Sequence, residues 1–187
     1  ITFYQQDNNS YKVLVTDSYE YNNPREDRIL GWDFTIKNGE FYTGKATVLG
    51  NPTLYQVESI KADKHYQTLL VAEEMKEHHK VMVLDLVSGE VIKEDLGNFN
   101  RGNDPEGIAL VTNKDNGGYW ICTEQSKTDN RFHLYDRKTL EYMTTMYLDN
   151  VSYTDGITTA YMHGKWYLYA VDNDARVVAF ELPEINS

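Results

Sequence analysis

Carboxylates recur along this 187-residue chain in a pattern that could bring them to one place. Glu58-Ser59-Ile60, Glu106-Gly107-Ile108 and Asp155-Gly156-Ile157 each set an acid before a small residue and an isoleucine, 48 and 49 positions apart (106 − 58 and 155 − 106). Glu73 and Glu74, Glu124 with Gln125, and Asp172 close the apolar run after each signature, and Asp104 stands just ahead of the second one. Oxygens from carboxylates and an amide meeting at one opening suit a hard cation. Calcium takes about 6–8 oxygen ligands in irregular geometry, whereas magnesium demands a tight octahedron, so calcium is the expected ion. The competing reading for any single acid is that it accepts backbone hydrogen bonds from a neighbouring turn.

These acids can meet only if the chain between them is built from like units. After each signature comes a second apolar run (Thr68 to Ala72, Tyr119 to Cys122, Trp166 to Val171), then a third containing an acid (Asp85, Asp136 and Glu181). Ile29 to Phe34, with Asp33, has the look of the third run. The spacing predicts four units, at residues 1–50, 51–100, 101–150 and 151–187, the last lacking a fourth strand before the chain ends. A period near 50 with β-branched and aromatic runs between turn residues is the signature of β-propeller blades, which bury their faces only against one another. Turns are marked by Asn22-Asn23-Pro24, Asn38-Gly39, Ser88-Gly89 and Asn116-Gly117-Gly118. Ala72 to Lys80, charged on all sides, reads as a strand running into a loop rather than as a helix. The fold class is therefore all-β. In a propeller, the starts of first strands and the ends of second strands share one end of the channel. That predicts a mouth lined by Glu58, Glu73, Glu74, Asp104, Glu106, Glu124, Gln125, Asp155 and Asp172. The third-run acids Asp33, Asp85, Asp136 and Glu181 lie away from it and read as structural.

Composition excludes several partners. A net charge of −11, from 29 Asp and Glu against 18 Lys and Arg, repels nucleic acid and anionic membranes, and no arginine-rich stripe offsets it. No apolar run approaches the ~20 residues of a membrane span. The lone Cys122 lies in an apolar strand and reads as a buried, inert thiol. His65, His78, His79, His133 and His163 lack zinc spacing, and no serine stands in a nucleophile-elbow glycine pattern. The glycine pairs belong to hairpins, not to phosphate-cradling loops.

Asp104-Pro105-Glu106-Gly107-Ile108, then Gly118-Tyr119-Trp120-Ile121 leading to Gln125, then Leu134-Tyr135-Asp136-Arg137 and Thr154-Asp155-Gly156-Ile157, resemble in order and spacing the later blades of the β-propeller phytases. Val71-Ala72-Glu73-Glu74 is similar to that family's second-strand ending, and Gln56-Val57-Glu58 to its blade opening. The resemblance covers roughly residues 50–175. It implies a six-bladed ring of which about four blades are present, and a 3-phytase-like phosphatase that hydrolyses phosphate monoesters of inositol hexakisphosphate through calcium-bound water, with no side-chain nucleophile. By the same resemblance Glu73, Asp104, Glu106, Gln125 and Asp155 would hold calcium and Glu58 matches an active-site acid, while Glu74, Glu124 and Asp172 are further candidate acids by their place at the mouth, the last two departing from the family's usual residues. The substrate would be a small anionic phosphate ester, the setting secreted or periplasmic, and the missing blades would come from a longer chain or a second copy. The family's early blades, with an aspartate-rich signature and basic residues gripping substrate phosphates, have no counterpart here. Two other readings stay open: a non-catalytic, calcium-stabilised propeller that binds a partner, and a lactonase-like propeller hydrolase acting on an uncharged ester.

Overall fold

Alternating apolar residues and frequent turn signals produce strands throughout, and the computed structural model, which describes residues 1–19, 22–50, 52–100 and 102–183, contains sixteen of them. The expected unit boundaries at 51 and 101 and the end of the chain at 184–187 lie outside the described residues. The first sheet takes β1 (Thr2–Gln5), β2 (Ser10–Thr16), β3 (Ile29–Lys37) and β4 (Glu40–Thr43) in that order, with the short β5 (Thr47–Val48) also on β3. The second runs β6 (Val57–Asp63), β7 (Thr68–Glu73), β8 (Lys80–Asp85), β9 (Val91–Lys93), and the third β10 (Asp104–Thr112), β11 (Gly118–Gln125), β12 (Arg131–Asp136), β13 (Tyr142–Tyr147). The fourth has three strands among the described residues: β14 (Ile157–Met162), β15 (Lys165–Asp172) and β16 (Arg176–Glu181). All neighbouring strands are antiparallel. The result is an all-β, four-bladed propeller arrangement.

Strand parity explains why the blades stack. In β7, Leu69 and Val71 enter the core shared with the first blade, through Leu14 and Ile29, while Leu70 and Ala72 enter the core shared with the third, through Trp120, Cys122 and Tyr135. In β11, Tyr119 and Ile121 turn the other way, onto Leu168 and Ala170 of the fourth blade. Each such side chain, fully buried, is worth about 1.5–3 kcal/mol, so the second strands hold successive blades together. Cys122 lies in the second of these cores, where burial pushes its thiol pKa up and keeps it inert.

The small residue of the repeat has a packing reason. A Cβ on Gly107 would lie 2.7 Å from the backbone nitrogen of Ile157 and 2.8 Å from its Cγ1, so the innermost strand of the third blade touches the signature of the fourth directly. One buried ion pair also spans blades. Asp63, at the end of β6, receives Arg137 Nε at 2.6 Å and Nη2 at 2.8 Å. Arg137 Nη1 donates to the carbonyls of Asn116 (3.0 Å) and Gly117 (3.2 Å), and its guanidinium lies 5.2 Å from the centre of the Tyr66 ring.

The third-run acids are structural in different ways. Asp85 and Asp136 accept the backbone N–H groups of the turns that follow them, Val87 and Ser88 in one case and Lys138 and Thr139 in the other. Asp33 pairs with Lys12, and Glu181 with Lys165. The segment after Glu73 turns at 75–77 instead of forming a helix. Among the described residues no helix is long and apolar enough to cross a membrane.

The outward faces of the first and last blades are apolar. Strand register puts Phe3, Val13 and Trp32 on the same face of the first sheet, with Phe3 70% exposed. Tyr167, Tyr169, Val171 and Val177 share the outer face of the fourth, with Val177 65% exposed.

Candidate active site

Two β-bulges aim the site acids. Val57 pairs with Glu73 and Ser59 with Ala72, so Glu58 is the extra residue of β6. In β10, Pro105 pairs with Glu124 and Ile108 with Cys122, which places one surplus residue at Glu106-Gly107. A bulge breaks the inside–outside alternation locally and re-aims a side chain. At Glu58 and Glu106 the acid–small–Ile signature therefore marks where the innermost strand bends to present its acid, whereas Asp155 stands just ahead of β14, which pairs in continuous register.

Five carboxylates from three blades act on one another there. Burial pushes Glu106 up to about 9, with repulsion from Glu74, Glu58, Asp155 and Asp104 adding to it. Burial pushes Glu74 up to about 8, reinforced by the hydrogen bond it shares with Glu58 and by repulsion from Glu58, Asp104 and Asp155. Asp155 is raised by burial and by its contact with Asp174. Polar neighbours hold the acids in place: Gln56 Nε2 donates to Glu74 and, at 3.3 Å, to Glu58, Gln125 Nε2 donates to Asp155, and His79 Nε2 lies 3.2 Å from Asp104 Oδ1. Tyr55 and His78 stack on one another with ring centres 4.2 Å apart, on the loops that carry Gln56 and His79.

Glu73, Glu124 and Asp172, expected at the mouth, are turned away from it. Glu73 is buried and accepts the backbone N–H groups of Tyr55 (2.9 Å) and Gln56 (2.6 Å). Glu124 is wholly buried and accepts from Asn100 N (3.0 Å) and Asn103 Nδ2 (2.7 Å), with His133 Nε2 at 2.8 Å. Asp172 accepts from Ser152 N (3.0 Å) and Arg176 Nε (2.7 Å). The reason is parity: neighbours on a strand face opposite ways, so Glu73 and Glu74 cannot both look into the channel, nor can Glu124 and Gln125. Burial alone would raise Glu124, but the hydrogen bonds from His133, Asn103 and Asn100 outweigh it and hold its pKa below the usual range. Asp172 is held low by the Ser152 N–H and by Arg176. Sequence reasoning missed Asp174, His79 and Gln56. Asp174 sits in the turn after β15 with φ +52°, and neither histidine spacing nor the repeat pointed to His79.

The donor set is one of hard oxygens with uncompensated negative charge, which fits calcium and not a soft or borderline metal. Among the described residues no three His, Cys, Asp or Glu side chains converge to coordination spacing. Glu58, Glu74, Asp104, Glu106 and Asp155, with the Gln125 amide, are the groups that could hold the ion.

The repulsion has a measurable consequence. Glu74 and Glu106 have folded-state pKa values above the ordinary 4.5, so the stability tied to their neutral forms is complete below about pH 4.5 and is lost as pH rises through 8 to 9. In chelator, the melting temperature should fall by several degrees between pH 5 and 9, about 2–4 °C for each 1 kcal/mol. Calcium should flatten that slope. A melting temperature that stays level in chelator across this range would contradict the assigned repulsion.

Blades stacked in this way, with carboxylates gathered at one end of the channel, define a β-propeller. The sequence profile of the Phytase family matches residues 36–171, and the chain belongs to that family. None of the curated proteins matches the chain significantly. Among solved structures, it is similar to a thermostable family-43 glycoside hydrolase (TM-score 0.61, 11% identity, 92% of this chain and 62% of that one). It is also similar to an exo-1,5-α-L-arabinanase from a bovine ruminal metagenomic library (TM-score 0.52, 10% identity, 95% and 71%). At such identities the likeness concerns the fold alone. The chain spans about 62% of the length of the first of these structures.

Proposed function

We propose that this chain forms the C-terminal part of a calcium-dependent phosphomonoester hydrolase acting on phytate-like inositol phosphates. The observation that carries the reading is the mutual repulsion of Glu58, Glu74, Asp104, Glu106 and Asp155 at one mouth, in a chain of the Phytase family. Calcium held there would supply the positive field that draws phosphate oxygens and the polarisation that readies a water for attack on phosphorus. The chain's own part is positional. The bulges at Glu58 and Glu106 present carboxylates from innermost strands, Gln125 orients Asp155, and His79 holds Asp104.

A six-bladed ring, with two further blades supplied outside this chain, is supported by the apolar outward faces of the first and last blades. A secreted or periplasmic setting suits a protein of this kind, because calcium sites of extracellular modules work at about 10⁻⁴–10⁻³ M.

Phosphate release from phytate by the full natural protein, in calcium and in chelator, tests the reading against its rivals. The expected result is release that needs calcium and prefers highly anionic esters. Turnover of lactones or neutral phosphotriesters with none of phytate would favour the lactonase-like reading. Calcium-induced stabilisation without turnover of either would leave a binding module. Glu124 and Asp172 lend that last reading no support, because hydrogen bonds hold both at the blade entries.

A further inference from the structure

The three acids turned away from the mouth share one geometry. Glu73, Glu124 and Asp172 each stand at or next to the end of the second strand of a blade. Each accepts a backbone N–H from the segment that leads into the first strand of the same blade: Tyr55 and Gln56, Asn100, and Ser152. That leading segment carries the site acids a few residues on, with Glu58 after Gln56, Asp104 and Glu106 after Asn100, and Asp155 after Ser152. Beyond each buried acid the chain delivers a mouth group: Glu74, Gln125 and, one residue further, Asp174.

From this we infer that Glu73, Glu124 and Asp172 are positioning residues, which fasten the entry segment of each blade and so set the site acids at their working separation. The inference rests on the calcium reading only for what the separation serves; the fastening itself is independent of any ion. A carboxylate is the suitable group because it accepts several N–H bonds at once and its charge strengthens each of them. The N–H groups of Tyr55, Gln56, Asn100 and Ser152 lie ahead of the first strand of their blade, outside its ladder, and the acid supplies the acceptor that fixes them. Glu124 is the most heavily used of the three. Its two oxygens take Asn100 N, Asn103 Nδ2 and His133 Nε2, and Arg131 Nη1 lies 3.4 Å away. His133 is in turn fixed by Thr145 at 2.9 Å. Asn103 directly precedes Asp104, so the Glu124–Asn103 bond acts one residue from a site acid. Groups that orient metal ligands from behind are worth about 10–100-fold in metal affinity.

The test compares Glu124→Ala and Glu124→Gln with the parent in the full natural protein, with Asp172→Asn as a second site at the more exposed fourth blade should Glu124→Ala not fold. Two readouts are taken: hydrogen exchange in chelator, peptide by peptide, and calcium affinity by titration calorimetry. Glu124→Ala should speed exchange in the peptide containing Asn100 and Asn103 while leaving 57–63 unchanged. It should also weaken calcium binding tenfold or more, and Glu124→Gln, which keeps an acceptor oxygen, should restore part of both. Unchanged exchange around Asn100 would overturn the inference whether or not calcium binds. Faster exchange with unaltered calcium affinity would reduce Glu124 to a structural residue and leave the calcium reading intact. No calcium binding by the parent would sink the calcium reading, with the exchange data still deciding the fastening.

Discussion

Glu106→Gln is expected to abolish most calcium-dependent phosphate release, by about 100-fold or more, the scale seen when one electrostatic group is taken from a charge-stabilising site. The same change should make the metal-free protein more stable at pH 8. Glu106 lies at the centre of the repulsion, buried and surrounded by Glu74, Glu58, Asp155 and Asp104, with a pKa pushed up to about 9. At neutral pH it must therefore either hold a proton or remain charged against its neighbours. Glutamine keeps the shape and removes that conflict, so the chelated variant should melt higher than the parent, and its own loss of stability between pH 5 and 9 should shrink. In calcium the order should reverse, because a carboxylate donor is gone. Opposite signs in the two conditions separate a site residue from a structural one: a structural glutamate would lose stability in both. Thermal melts in chelator and in saturating calcium, beside a phosphate-release assay, decide the matter. Unchanged release by Glu106→Gln would remove Glu106 from the site.

Arg137→Met should cost about 3–5 kcal/mol, the penalty of leaving one partner of a buried ion pair alone. Asp63 and Arg137 are 3% and 5% exposed, so solvent screens their interaction little. Removing the guanidinium strands the Asp63 carboxylate and takes a donor from the carbonyls of Asn116 and Gly117. The pair joins the innermost strand of the second blade to the turn after the third strand of the third. The loss should therefore appear as a shift in urea midpoint with calcium affinity little changed. Asp63→Asn combined with Arg137→Met should recover part of it, since the uncompensated charge is then removed as well. A loss under about 1 kcal/mol for the single variant would show that water or rearrangement replaces the pair.

Blade architecture was readable because it depends on period and alternation, which a sequence displays directly. The runs from Thr68, Tyr119 and Trp166 became β7, β11 and β15, and the burial of β7 and β11 on both faces follows from uninterrupted apolar content, while β15, in the last blade, buries one face. What failed was phase near the strand ends. Glu73 and Glu74 are adjacent and chemically alike, and one hydrogen-bond partner decides which faces the channel; that partner, the backbone of Tyr55 and Gln56, lies 18 and 17 residues upstream. The bulges were hidden for a similar reason. An extra residue at Glu58 or Glu106 alters pairing without altering composition, and only the partner strand reveals it. Asp174 and His79 sit on turns, where no periodicity constrains direction.

The bulges also bear on how such a site can arise or vanish. At Glu106-Gly107 the surplus residue is absorbed within a few positions, and from Ile108 onward β10 pairs with β11 in continuous register. The blade's packing and its chemistry are thus written in separable stretches of the gene. One in-frame codon inserted at that point converts a plain, fully paired strand into one that projects an acid, and its deletion heals the strand. Loss of the proposed activity through a single-codon deletion should consequently leave a well-folded propeller, so a site-bearing chain and a silent scaffold would lie one mutational step apart.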